Sequence, residues 1–88
     1  MVRNENFIKR QIGTGFAIVA VGEATKRFNG IISVNETGSF IWDQLEKPIT
    51  AEELTEKITA QYGVDAATAA ADAEKFLEVL RSVGAVTD

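Results

Sequence analysis

The stretch Ile31-Ile32-Ser33-Val34-Asn35-Glu36-Thr37-Gly38-Ser39-Phe40-Ile41-Trp42 changes its period half-way along. Up to Val34 it is β-branched except at Ser33, the composition of a short strand. From Asn35 the apolar residues fall at helical spacing. Phe40, Ile41 and Leu45 share a face, Thr37 lies one turn earlier, and Trp42 sits beside that face. Asn35 is the junction. Its side-chain oxygen can accept from a free backbone N–H one turn on, which makes it an N-cap. A helix therefore follows a strand with almost no loop, and the strand is held rigidly. Gly38, four residues before Trp42, leaves room for the indole or for a close neighbouring backbone. Pro48 is expected to end the helix, because it has no N–H to donate and restricts the residue before it.

Upstream of this junction the chain reads as strands. Phe7 to Ile12 alternates apolar and polar residues, and Gly13-Thr14-Gly15 interrupts it as a hairpin loop would. Phe16 to Val21 is apolar on both faces, the pattern of a central or doubly covered strand. Gly22 to Arg27 is a polar link, and Asn29-Gly30 is a strong hairpin signal. The order implies a small antiparallel sheet, first strand to second to third. Downstream, Thr50-Ala51-Glu52-Glu53 is a capping box that opens a second helix with the stripe Leu54, Ile58 and Tyr62. Gly63 ends it. Asp65 caps a third helix, whose stripe is Ala69, Ala73, Phe76, Leu77, Leu80 and Val83, and Gly84 closes it. Ala85-Val86 is a closing apolar contact or a vestigial strand. Strands followed by helices predict an α+β domain over residues 1–88.

Composition narrows the chemistry. The chain has 88 residues, nine Lys or Arg, thirteen Asp or Glu, no His and no Cys. Zinc, iron–sulfur and Cys- or His-dependent nucleophilic sites therefore lack their ligands or bases. No disulfide can form, no apolar run reaches the length of a membrane helix, and the N-terminus has no signal-peptide core. A cytoplasmic, non-catalytic protein without cofactors, metals or membrane contact is expected. Charge is split unevenly. Residues 1–34 carry five basic and two acidic groups (+3), and residues 35–88 carry four basic and eleven acidic groups (−7), which together give the net charge of −4. An acidic helical half argues against phosphate contacts.

Several features admit two explanations. Glu52, Glu53 and Glu56 have carboxylates that could serve a metal, but acidic residues are favoured at a helix N-terminus and no other ligand type clusters nearby. Gly13-Thr14-Gly15 lacks the Lys-Ser/Thr ending and the helix of a phosphate loop. Lys26-Arg27 could touch an anion, and Trp42 with Phe40 could stack on a base. Solvation of the two charges and core packing of the two aromatics are the favoured readings. The alanines of the third helix give close packing, and could also floor a groove beside an edge strand.

Val34-Asn35-Glu36-Thr37-Gly38-Ser39-Phe40-Ile41-Trp42 resembles the strand–Asn–helix signature of the coenzyme PQQ synthesis protein D (PqqD)-like family. The signature runs as an apolar residue, Asn, a polar residue, Thr, Gly, two residues, then Ile-Trp. Thr50 to Glu53, Tyr62-Gly63-Val64-Asp65, Asp72, Phe76-Leu77 and Leu80 to Val86 extend the likeness over nearly the whole chain. The resemblance implies a winged-helix-like fold of three strands and three helices. It also implies a recognition element that binds the leader of a ribosomally made precursor peptide and presents it to a modifying enzyme, often a radical S-adenosylmethionine protein. In the family the leader adds a strand beside strand three and lies against helix three. Carried over, the peptide-binding residues are Ile31, Ile32, Ser33, Val34, Asp72, Lys75, Phe76 and Val79. Asn35, Gly38, Ile41 and Trp42 match the signature and read as structural. Lys26 and Arg27, just before strand three, would favour an acidic leader. The competing readings are a winged-helix nucleic-acid-binding domain and a structural or dimerising subunit. The expected state is a monomer or weak dimer.

Overall fold

The computed structural model describes residues 1–28 and 30–87. The Asn29-Gly30 hairpin expected from the sequence rests on Asn29 and lies outside the described residues. Among the described residues, five strands and three helices follow in the order β1 (Val2–Arg3), β2 (Phe7–Ile12), β3 (Gly15–Ala20), β4 (Ile31–Val34), α1 (Glu36–Gln44), α2 (Ala51–Tyr62), α3 (Ala66–Val83) and β5 (Val86–Thr87). A 3₁₀ turn, Gly22–Lys26, occupies the polar link between β3 and β4. The main sheet is antiparallel in the order β2-β3-β4, as the sequence implies. The fold is α+β.

The β2–β3 hairpin turns through Gly13-Thr14, between the paired residues Ile12 and Gly15. Gly13 has φ 61°, the positive angle that a two-residue turn with glycine in its first central position requires. Side chains alternate along each strand. Ile18, fully buried, and Ile32, its partner on β4, face the helices, as does Lys9, whose ammonium reaches Ser39 and Asp43 of α1 at 2.7 Å each. Ile8, Arg10, Ile12, Val19, Ile31 and Ser33 have the opposite parity and face away from them. The core is Ile18, Ile41, Trp42, Leu45, Leu54, Ile58, Leu77 and Leu80, with little or no exposure in any of them. Among the described residues no helix is long and apolar enough to cross a membrane.

All three helix starts follow the capping chemistry of the sequence. Asn35 accepts from the Gly38 N–H at 2.7 Å, Asp65 accepts from the Thr68 N–H at 2.7 Å, and Thr50 and Glu53 form the reciprocal box. Backbone hydrogen bonds hold the Glu53 and Asp65 carboxyls below their ordinary ranges, from Thr50 and Thr68 respectively. A carboxylate with a lowered value stabilises the fold at neutral pH, and that contribution is lost as pH falls through the lowered value. The Thr68 amide shift should therefore follow the Asp65 carboxyl with a midpoint below 3.8, the ordinary value for Asp65. An NMR titration checks this, and a midpoint at or above that value would refute the cap as drawn.

The structure sharpens three local readings. Trp42 does not sit beside the buried face of α1. It is 2% exposed and central, whereas Phe40 is half-buried and packs edge-on against Tyr62 with ring centroids 5.6 Å apart. Helix α1 ends at Gln44, the residue whose carbonyl would need the N–H that Pro48 lacks, and the N-terminal segment covers carbonyls left at that end. The Arg3 N–H donates to the Leu45 carbonyl at 2.9 Å and the Arg3 guanidinium to the Trp42 carbonyl at 3.3 Å. That segment is itself a strand, β1, paired with β5. Two-residue strands are too short to show a period, so only the tertiary contact reveals them. Ala85-Val86 accordingly resolves into a buried alanine followed by the short strand.

Arg3 also lies 5.5 Å from the Trp42 ring centre, a cation–π distance. Arg3→Ala removes that contact and the carbonyl hydrogen bond together, and should lower stability by about 1–2 kcal/mol. A denaturant midpoint unchanged from the parent would show this N-terminal strap, residues 1–4, to be idle.

Candidate functional site

Among the described residues strand β4 pairs with β3 only, so one edge of it is open. The hydrogen-bond parity of the sheet says which groups it offers. In a two-residue hairpin the flanking residues, here Ile12 and Gly15, form a hydrogen-bonded pair, and such pairs then alternate with non-bonded ones. Residues of odd number on β3 thus bond to β2. The Val21 N–H, donated to the Asn6 carbonyl at 2.7 Å, has the same parity. Phe16 and Ile18 must then bond to β4, through their partners Val34 and Ile32. The N–H and C=O groups of Ile31 and Ser33 are left pointing at the open edge.

Beside the C-terminal half of that edge lies a groove of about 340 Å³. Ser33 and Val34 line it from β4, Gly38 and Ile41 from α1, and Asp72, Lys75 and Phe76 from α3. Gly38 is what lets α3 approach. A Cβ built there would meet the Val34 Cβ at 3.3 Å, the Asn35 Oδ1 at 3.3 Å and the Phe76 ring at 3.4 Å. The neighbour it makes room for is Phe76, not the Trp42 indole. Asp72 and Lys75 are both exposed, so the groove carries one charge of each sign over an apolar floor.

Five of the eight sequence-predicted site residues (Ser33, Val34, Asp72, Lys75 and Phe76) line this groove. The other three, Ile31, Ile32 and Val79, do not. Ile32 is half-buried against the core, Ile31 is 64% exposed on the opposite face of the sheet, and Val79 is 45% exposed on α3, one turn beyond Lys75 and Phe76. Sequence reasoning missed the α1 wall. Asn35, Gly38 and Ile41 read as structural, yet all three line the groove as well. The alanines are not its floor, because Ala69 and Ala73 are buried in the core and the α3 lining comes from Asp72, Lys75 and Phe76. Lys26 and Arg27 lie elsewhere, around a separate hollow with Asn6, Phe7 and Val83, and Lys26 pairs with Glu23 at 3.2 Å.

A wider hollow of about 510 Å³ lies on the other flank of α1, among Phe16, Phe40 and Tyr62. It has no open strand edge beside it, so it lacks the backbone groups that would orient an extended ligand.

Residues 17–86 match the family described as coenzyme PQQ synthesis protein D (PqqD). The chain belongs to the PqqD family. The match begins within β3 and takes in β4, the three helices and Val86 of β5, so the open edge and the whole groove of this PqqD domain lie inside it. A solved structure with the same fold is that of TbiB1 in complex with the TbiA(beta) leader peptide. It is similar with a TM-score of 0.75, is 23% identical, and covers 100% of each chain. No curated protein matches the chain.

Proposed function

We propose that this PqqD-family domain is a non-catalytic recognition element. It captures the leader of a ribosomally made precursor peptide as an added strand on β4, and presents it in the cytoplasm to a modifying enzyme of the radical S-adenosylmethionine class. The observation that carries the reading is the pairing of an open strand edge at Ile31 and Ser33 with the Phe76-floored groove beside it. The similarity of fold to TbiB1, itself bound to a leader peptide, supports it.

The energetics state what the ligand must be. Four edge groups give about four hydrogen bonds worth roughly 1 kcal/mol each net. Ordering the paired ligand residues costs about 1–2 kcal/mol apiece. The ladder therefore sets direction and register but yields little affinity. Affinity has to come from apolar side chains, at roughly 1.5–3 kcal/mol for each one well buried. The groove between Val34, Ile41 and Phe76 suits such anchors. A nucleic-acid function is disfavoured by charge, since the exposed start of α2 carries Glu52, Glu53 and Glu56 against Lys57 alone.

Titrating the ¹⁵N-labelled domain with a synthetic leader, taken from a short precursor encoded beside the gene, tests the proposal. Shifts should concentrate at residues 31–38 and 72–79, with the Ile31 and Ser33 amides becoming protected from exchange. Shifts scattered elsewhere, or none, would overturn it.

A further inference from the structure

The outward face of the sheet carries a row that the groove does not explain. Ile8 pairs with Val19, and Val19 with Ile31, so three β-branched side chains lie side by side across the strands. Ile8 and Val19 are half-buried, whereas Ile31 stands 64% exposed at the end of the row, on the open edge. The neighbouring row, Arg10, Ala17 and Ser33, ends in a small polar residue. Antiparallel sheets usually turn polar side chains to an uncovered face. An apolar row that runs up to an unpaired edge is therefore out of place unless another strand continues it.

Register decides which ligand residue would do so. An antiparallel strand bonded to Ile31 and Ser33 places successive residues opposite Val34, Ser33, Ile32 and Ile31. Those opposite Val34 and Ile32 point to the helix side, into the groove region. Those opposite Ser33 and Ile31 point outward. Directly opposed side chains on one face of a sheet have Cβ atoms about 5 Å apart, close enough to pack. We propose that the domain reads its bound strand on both faces, taking apolar side chains at positions i and i+2 on the helix side and a third at i+3 against Ile31. Position i+1, opposite Ser33, accepts a small or polar residue. This inference rests on the strand-addition reading above and adds a specificity residue, Ile31, that acts from outside the groove. It also supplies a register lock. A slip of one residue sends every anchor to the wrong face, and a pattern read on two faces penalises that slip twice.

The test uses a phage-displayed library of short peptides selected on the intact domain, followed by synthetic peptides of the enriched sequence. Enrichment of apolar residues at i, i+2 and i+3 is expected. Replacing the i+3 residue by Ser should weaken binding to the parent domain about two- to fivefold, and should have no effect on Ile31→Thr, which keeps the β-branch. Ile31→Val should retain the preference. Peptides that protect the Ile31 and Ser33 amides yet are selected only at i and i+2, or an i+3 effect that persists in Ile31→Thr, would overturn this inference alone. Failure of any selected peptide to protect those amides would overturn the strand-addition reading itself.

Discussion

Ser33→Pro is expected to weaken leader binding about tenfold or more while leaving the fold intact. The Ser33 N–H points away from β3, so a ring at that position costs the sheet no hydrogen bond. Extended geometry at Ile32 also suits the residue before a proline. The ligand, in contrast, loses a donor, and its opposing carbonyl is left unpaired beside the ring. An unpaired buried carbonyl costs about 1–3 kcal/mol, which alone spans the stated loss. Ile32→Pro makes the matching control. Its N–H belongs to the bonded pair with Ile18 at the centre of the core, so that variant should lose β4 altogether. Binding by isothermal calorimetry and the unfolding midpoint separate the two results. Full-strength binding by Ser33→Pro would place the ligand somewhere other than the β4 edge.

The second large effect is expected at Gly38. Even a single added carbon there meets Val34, Asn35 and Phe76 at 3.3–3.4 Å, close enough that each must give slightly. Gly38→Val adds two further carbons on the same side. Val34 is held by the sheet and Asn35 by its cap, so Phe76 must move, and the groove floor moves with it. Overpacking of this kind costs about 1–3 kcal/mol. Leader affinity should fall by about tenfold or more, because one anchor worth at least ~1.5 kcal/mol loses its place. Gly38→Ala should be milder, since the gain in helix propensity offsets part of the crowding. A Gly38→Val domain with parental stability and parental affinity would show that Phe76 is not the groove floor.

Both expectations depend on how much of the site is legible without coordinates. The strand and helix bounds around Asn35 are legible because each boundary has its own local chemistry. An N-cap, a capping box, positive-φ glycines and a change of period all act within one turn of chain. The same is true of Gly63 and Gly84, which end α2 and α3 at φ 67° and 78°. The site is legible only in part. Ser33, Val34, Asp72, Lys75 and Phe76 could be placed on facing elements through the family signature. The α1 wall could not, because Gly38 announces a close approach without naming the neighbour. The four residues of the N-terminal strap were illegible for a related reason. Their partners Trp42, Leu45, Gly84 and Ala85 lie about 40 or 80 residues away, and no local pattern encodes them.

By itself, then, the sequence determined the order and ends of the helices, the three-stranded sheet, the absence of thiol and imidazole chemistry, and an acidic helical half unsuited to phosphate. Each follows from residue type and short-range spacing. Tertiary structure alone decided three other things: that Trp42 and not Phe40 anchors the core, that Gly38 yields its space to Phe76, and that Ile31 and Ser33 turn their free backbone groups to the open edge while Ile31 faces away from the groove. These are properties of packing and strand pairing. The side-chain period of a strand is two, and which of the two parities faces a partner is set by the neighbouring strand, not by the residues of β4 themselves.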